Sequence, residues 1–215
     1  MNAELIHCGG SSLENSGLSG TRFERDLRRL QRDVLRMGAL VENSFWLARQ
    51  GLFQGDLQAA GSIAKQDKQI DQYYRQIEQD CVSLIAKHSP VMQDLRLISA
   101  LMQLVRDLER IGDYAKDIGA IAIKLFPYPN SPYMGQIQVM SDRCQAMLAM
   151  SLAALSDLDA VSGLEVKARD DAVDSDYQML YDQLAQQKKH SRGCRTDCFI
   201  GVSDSAPRAD GRSRH

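Results

Sequence analysis

Apolar residues in this chain recur at alternating steps of three and four along most of its length. The first such stripe includes Phe23, Leu27, Leu30, Val34, Met37 and Val41 and continues to Ala48 and Leu52. This spacing puts the side chains on one face of a helix, so it predicts amphipathic helices rather than strands. The same register places a polar residue, Ser44, on the buried face of the first helix. A chain patterned in this way folds by packing long helices against one another.

Four more stripes follow, and the segments between helices contain four of the five prolines: Pro90, Pro127, Pro129 and Pro132. Ser89-Pro90 and Ser131-Pro132 each place a capping residue before a proline, a pattern typical of a helix start. Because the connections are short, we expect consecutive helices to be antiparallel. The sequence therefore predicts an all-α fold of up-down helical bundles.

The fourth and fifth stripes resemble the first and second. Met37 matches Met140, and Asp67 matches Asp170, each 103 positions later. A repeat at this spacing indicates duplication of a helical unit. No further stripe follows residue 190, so we predict two tandem up-down three-helix bundles, the second truncated. The predicted divisions are a disordered leader (1–19), a first repeat (20–128), a partial second repeat (129–190) and an unpatterned basic tail (191–215).

Composition excludes several classes of protein. The net charge of −2 argues against a dedicated nucleic-acid binder, which would carry a basic face. The sequence contains no run of 18 apolar residues that would span a membrane, and the N-terminus lacks the pattern of a secretory signal. Five cysteines at scattered positions are typical of reduced thiols in the cytoplasm.

Carboxylates at unusual positions point to a functional site. Asp67 lies on the apolar stripe of the second helix, and an ionised carboxylate there is costly unless it is paired or bound to a cation. Asp71 follows it by one helical turn, and Glu109 and Asp113 form a similar pair on the third helix. Two solutions remain open. One is a bound metal ion, and the other is a salt bridge to one of four cations: Arg96, Arg106, Arg110 and Lys116.

The types of ligand limit the possible metals. Oxygen ligands suit Mg, Mn, Ca or Fe rather than structural zinc. A ferritin-like di-iron oxidase needs Glu-x-x-His on two helices, and only one of the four histidines, His7, has a glutamate three residues before it. The sequence also shows no pairing of a nucleophile with a base. We therefore expect a protein that is not an enzyme.

The segment Arg106–Asp113, which reads RDLERIGD, closely resembles the signature of the PhoU family, regulators of bacterial phosphate uptake. The segment Asp67–Asp71 and the Ser89-Pro90 pair, followed by Asp94, are similar to further parts of that family's pattern. The resemblance covers roughly residues 20–190.

The resemblance implies a fold of two similar three-helix bundles whose paired carboxylates bind multinuclear metal clusters. By position, Glu109 and Asp113 are the motif ligands, and Asp67, Asp71 and Asp94 are weaker candidates. The motif is not repeated in the second half, because Arg212 stands 103 residues after Glu109.

The resemblance also implies a role. Members of the family are cytoplasmic negative regulators, often homodimers, that link the ATPase subunit of a phosphate ABC transporter to a sensor histidine kinase. They contact the membrane only through these partners and bind no nucleic acid. The alternative is a metal-free structural module of helical bundles, in which arginine and lysine side chains neutralise the carboxylates.

Overall fold

The structure is a computed structural model that describes the backbone of residues 14–129 and 131–197 and the side chains of residues 22–129 and 131–186. It contains five helices: α1 Glu14–Gln54, α2 Leu57–His88, α3 Met92–Leu125, α4 Met134–Asp157 and α5 Ala160–Asp197. No strand occurs in these ranges, which confirms the all-α prediction. None of their helices is both long and apolar enough to cross a membrane.

The helix ends differ from the predicted divisions at both termini. α1 begins at Glu14, inside the segment 1–19 that was predicted to be a leader. α5 continues to Asp197, beyond residue 190, where the apolar stripe ends. The rest of the predicted leader and tail, residues 1–13 and 198–215, lies outside the described residues.

The chain divides into two compact units, Met1–Arg169 and Asp170–His215. In the first unit, α1, α2 and α3 each pack against the other two, and α4 packs against α1. This is the three-helix bundle that the first three stripes predicted. In the second unit, the stacked rings of Tyr177 and Tyr181 lie 6.3 Å apart on α5. Residues 131–197 hold two helices of the second repeat.

The core of the three-helix bundle consists of the predicted stripes. Its largest cluster combines side chains of all three helices: Leu30, Val34, Met37, Val41, Ile70, Ile77, Leu101, Val105 and Leu108. Burial of one such aliphatic side chain contributes about 1.5–3 kcal/mol. Ser44 is only 1% exposed, as its register predicted, and its hydroxyl has no hydrogen-bond partner among the described residues.

Small residues allow the three helices to approach closely. A Cβ atom on Gly119 would lie 2.7 Å from the Cδ1 atom of Ile63 and 3.3 Å from the carbonyl oxygen of Ala60. A Cβ atom on Gly112 would lie 3.1 Å from the Cδ1 atom of Ile70. These contacts bring α3 against α2 over the stretch of both helices that carries the acidic pairs.

α4 packs on the outside of this bundle, against α1. Gly38 leaves room there for the side chain of Leu152, which packs beside the main core cluster. The guanidinium group of Arg49 on α1 donates hydrogen bonds to Gln145 and Asp142 on α4. Apolar packing and one arginine therefore fasten the first helix of the second repeat to the first repeat.

The connection between α2 and α3 differs from the prediction. Ser89 was predicted to be the N-cap of α3, but it is the C-cap of α2, with a φ of 47° and an N–H that donates to the carbonyl oxygen of Ile85. α3 begins at Met92, after Val91. The reason is Pro90, which has no N–H and cannot continue α2, so the chain leaves that helix at the preceding residue.

Candidate functional site

The predicted carboxylates come from two neighbouring helices. α2 carries Asp67 and Asp71, and α3 carries Glu109 and Asp113. Within each pair the residues are four apart, so they lie on the same face of their helix. Because α2 and α3 pack together, the two pairs form one acidic cluster, which is defined here by these four residues.

Lys116 joins the two helices at this cluster. Its ammonium nitrogen Nζ lies 2.7 Å from Oδ2 of Asp67 on α2 and 2.8 Å from Oδ1 of Asp113 on its own helix. The side chain of Asp67 is 11% exposed, whereas that of Lys116 is 38% exposed. The buried carboxylate on the apolar stripe is thus hydrogen-bonded to a cation that remains partly in water. Of the four donors that the sequence left open, the structure places Lys116 on Asp67.

The electrostatics of Glu109 show how close the four carboxylates are. Burial raises the pKa of its carboxyl group, and the negative charges of Asp113, Asp71 and Asp67 raise it further. Lys116 opposes this effect by lowering the pKa of Glu109. The single ammonium group therefore acts on Glu109 as well as on its two hydrogen-bond partners, Asp67 and Asp113.

Lys116 is correspondingly stabilised in its charged form. Hydrogen bonds to Asp113 and Asp67 raise the pKa of its ammonium group well above the ordinary value. A lysine whose pKa is raised by folding stabilises the folded state at every pH below its unfolded value, and this contribution is lost only as pH rises through the folded value. The bridge therefore contributes fully across the neutral range.

Charge in the cluster is not balanced. Four carboxylates and one ammonium group sum to roughly −3 at neutral pH. Neither Asp71 nor Glu109 makes a hydrogen bond or an ion pair with the described residues. These two side chains are the ones available to a further cation.

Asp94 does not join the acidic cluster. Asp94 is exposed in the first turn of α3, 15 residues before Glu109, which corresponds to roughly 22 Å along a helix. The weaker candidate Asp94 is therefore remote from the other four. Asp170, the counterpart of Asp67 in the repeat, is exposed on α5 rather than buried on an apolar stripe.

The chemistry of the donors fits a hard metal ion, but their present arrangement does not complete a metal site. Carboxylate oxygens are the ligands that Mg, Mn and Ca prefer. However, no group of three or more acidic, histidine or cysteine side chains in the described part of the chain is arranged to hold a metal ion. Lys116 instead takes one oxygen from Asp67 and one from Asp113. Metal binding stays a prediction from the resemblance.

Lys116→Met is expected to lower the free energy of unfolding by about 1–3 kcal/mol, because it leaves the buried carboxylate of Asp67 without a donor. Urea denaturation at pH 7 measures the effect. The control is Lys124→Met, which removes an exposed lysine near the end of the same helix and should change stability by no more than about 0.5 kcal/mol. Equal stability of Lys116→Met and the native chain would contradict a stabilising role for the bridge.

Glu109→Gln is expected to stabilise the chain at pH 7 by about 0.2–0.5 kcal/mol, because it removes a charge that its neighbours repel. The pKa of Glu109 is raised in the folded state, so the native chain recovers this loss as pH falls through that pKa. Denaturation curves from pH 7 to pH 4 should therefore converge. Glu165→Gln, at an exposed glutamate of α5, is the control. A constant difference across this pH range would count against the electrostatic cause.

Sequence reasoning identified the acidic cluster but missed a second group of charged residues at the other end of α2. This group comprises Arg22, Asp26 and Arg29 on α1 with Asp80, Lys87 and His88 on α2. The sequence does carry a signal in the spacing of these residues. On α1 they are four and three positions apart, and on α2 Lys87 follows Asp80 by seven positions, with His88 directly after it. Exposed charged residues on any amphipathic helix can show the same spacing, so it does not by itself distinguish this group.

Comparison with known proteins identifies relatives over most of the chain. The family model described as "PhoU domain" matches residues 34–122. The phosphate-specific transport system accessory protein PhoU homolog of Synechocystis sp. is 53% identical over 166 residues, which cover 77% of this chain and 74% of that protein. The homolog of Clostridium acetobutylicum is 34% identical over 163 residues, with 75% and 74% covered.

Solved structures give the same result. The crystal structure of PhoU from Pseudomonas aeruginosa superposes with a TM-score of 0.75 at 32% identity and covers 79% of this chain and 82% of that one. The phosphate transport system regulatory protein PhoU from Streptococcus pneumoniae gives a TM-score of 0.71 at 28% identity, with 78% and 79% covered. With the helical bundle and the acidic pairs of α2 and α3, these likenesses show that the chain belongs to the PhoU family.

Proposed function

We propose that this protein is an accessory protein of a phosphate transport system and a negative regulator of phosphate uptake and phosphate-starvation signalling. The observation that carries the proposal is the 53% identity to a relative named as such an accessory protein, over three quarters of both chains. In this role the chain is an adaptor, which binds the ATPase subunit of a phosphate ABC transporter and a sensor histidine kinase. The proposal places it in the cytoplasm and assigns it no catalytic step.

The first unit offers a surface suited to docking. Tyr114, Ile121 and Leu125 on α3, with Tyr128 just after it, recur at helical spacing and are between 44% and 67% exposed. We call these four residues the α3 stripe. Exposed apolar side chains that line up on one face of a helix are typical of protein interfaces. We assign the α3 stripe to the ATPase subunit, because the named relatives are accessories of the transport system itself.

A metal ion at the acidic cluster is a second part of the proposal. Glu109, Asp113, Asp67 and Asp71 would hold it through carboxylate oxygens, and the ion would supply positive charge to a cluster that has too little. Mn, Mg, Ca and Fe suit these ligands, singly or in a multinuclear site. The proposal also includes a homodimer, as the family resemblance implies.

One observation favours the alternative, a structural module that works without metal. Lys116 already neutralises part of the cluster and satisfies the buried carboxylate of Asp67. In this alternative, docking depends on helical surfaces alone, and the acidic cluster serves only to fasten α2 to α3.

The docking role predicts that Ile121→Asp combined with Leu125→Asp weakens binding to the ATPase subunit by about tenfold or more, because both changes put charge into a desolvated interface. Binding of the purified chain to the purified subunit is measured by biolayer interferometry. Val82→Asp, at an exposed valine of α2 outside the α3 stripe, is the matched control. Equal affinity of the stripe variant and the control would overturn the assignment of this surface.

The metal role predicts that Mn²⁺ raises the thermal unfolding midpoint of the native chain, because a ligand that binds only the folded state stabilises it. Glu109→Ala combined with Asp113→Ala should abolish this rise. Metal analysis of the purified protein gives an independent measurement. Absence of both bound metal and a Mn²⁺ effect in the native chain would favour the metal-free module.

A further inference from the structure

A cavity of about 240 Å³ opens between α1 and α2. It lies beside residues 22–30 of α1 and the last turns of α2. Its apolar floor consists of Leu30 and Leu84, which are 2% and 5% exposed. Three cations line it, Arg22 and Arg29 from α1 and Lys87 from α2. The packed floor belongs to the core of the bundle and is a fixed feature of the fold, whereas the three cations around it are exposed to solvent.

The cations of this cavity lack close partners. Arg22 and Lys87 make no hydrogen bond or ion pair with any residue that the structure describes. Arg29 forms an ion pair with Asp33, whose Oδ2 atom lies 3.8 Å from its Nε atom, which is too long for a hydrogen bond. Two cations without a partner, together with one held only by this long ion pair, favour an anionic ligand, because arginine and lysine bind the oxygens of anions by charge-assisted hydrogen bonds.

The cavity also contains further hydrogen-bond donors. The hydroxyl group of Ser83 has no hydrogen-bond partner among the described residues. The imidazole of His88 is mostly buried, and its ring meets the edge of Phe23 with centroids 5.4 Å apart. This contact holds His88 in place at the cavity wall. The lining therefore offers donors from both helices to an anion with several oxygens.

Two carboxylates in the lining restrict which anion fits. Asp26 lies 3.7 Å from Nε2 of His88, and Asp80 accepts a hydrogen bond of 3.0 Å from Gln76. A carboxylate repels a fully deprotonated anion but accepts a hydrogen bond from an acidic hydroxyl group. Inorganic phosphate carries such a hydroxyl group at neutral pH and a phosphate monoester carries one in its singly charged form, whereas sulfate carries none. The mixed lining therefore selects phosphate over sulfate.

Size agrees with a small ligand. At about 30 Å³ per water molecule, the cavity has room for roughly eight waters, which exceeds the five heavy atoms of inorganic phosphate. It is smaller than the 300–1,000 Å³ that is usual for drug-sized ligands. Inorganic phosphate or a small phosphate monoester is thus of a size that fits this cavity.

We propose that this cavity binds a protonated phosphate group, held by Arg22, Arg29 and Lys87 and recognised by the carboxylate of Asp26. The site is separate from the acidic cluster, since Lys87 lies 20 residues after Asp67, roughly 30 Å along α2. The proposal goes beyond the docking role and rests on the cavity alone. It gives the chain a direct ligand of its own, apart from any partner.

Isothermal titration calorimetry of the full chain at constant ionic strength tests the proposal, with inorganic phosphate, glycerol phosphate and sulfate as probes. We expect one of the two phosphate compounds to bind at least about tenfold more tightly than sulfate. Tighter binding of glycerol phosphate identifies the ligand as a phosphorylated metabolite, and tighter binding of inorganic phosphate identifies it as the free anion. Equal affinity for sulfate would overturn the proposal.

Variants locate the binding. Lys87→Gln and Arg22→Gln should each weaken phosphate binding by about tenfold or more, whereas Lys65→Gln removes the same charge from an exposed position of α2 and should leave the affinity within about twofold. Asp26→Asn should reduce the preference for phosphate over sulfate. Unchanged affinity in Lys87→Gln would overturn the proposal. Because the assay contains no partner protein, its result is independent of whether the docking role holds.

Discussion

The apolar core between α1, α2 and α3 determines which positions of the first unit can carry a charged group. Side chains on the apolar stripes that face this core are nearly or fully buried, from Leu30 at one end of the bundle to Ala122 at the other. The exposed α3 stripe is a separate set of residues. A charged residue on a stripe therefore needs a partner inside the protein. Asp67 is such a residue, and it obtains a partner only because α3 is held close enough for Lys116 to reach it. The close approach of α3 to α2 at Gly112 and Gly119 therefore also allows the salt bridge between Lys116 and Asp67.

Much of this could be predicted from the sequence, because helical periodicity depends on local spacing alone. The burial of Ser44 and Asp67 followed directly from their positions on the stripes. The choice of Lys116 among four cations did not, since it depends on the rotation and axial position of α3 against α2. Ser89 was assigned to the wrong helix because a Ser-Pro pair fits both the end of one helix and the start of the next. Asp170 shows the same limit, since its burial requires a neighbouring helix that periodicity does not supply.

α2 carries groups of opposite character near its two ends. The acidic cluster lies in its first half, and the cavity with three cations lies at its last turns. The two groups are too far apart to interact electrostatically. Their separation of roughly 30 Å is several times the Debye length, which is about 8 Å at physiological salt. The two proposed ligands, a cation at the acidic cluster and an anion in the cavity, would therefore bind independently of each other.

The bridge of Lys116 sets the condition under which a metal ion could bind. An ion that uses oxygens of both Asp67 and Asp113 takes the acceptors that the ammonium group now occupies. Release of Lys116 costs little in solvation, since its side chain is 38% exposed and can turn toward water. The buried carboxylate of Asp67, in contrast, needs a cation beside it, because an unpaired charge that is removed from water strongly destabilises the folded state. Under the metal proposal, lysine and metal would thus be alternative partners for the same carboxylates, and either one would join α2 to α3.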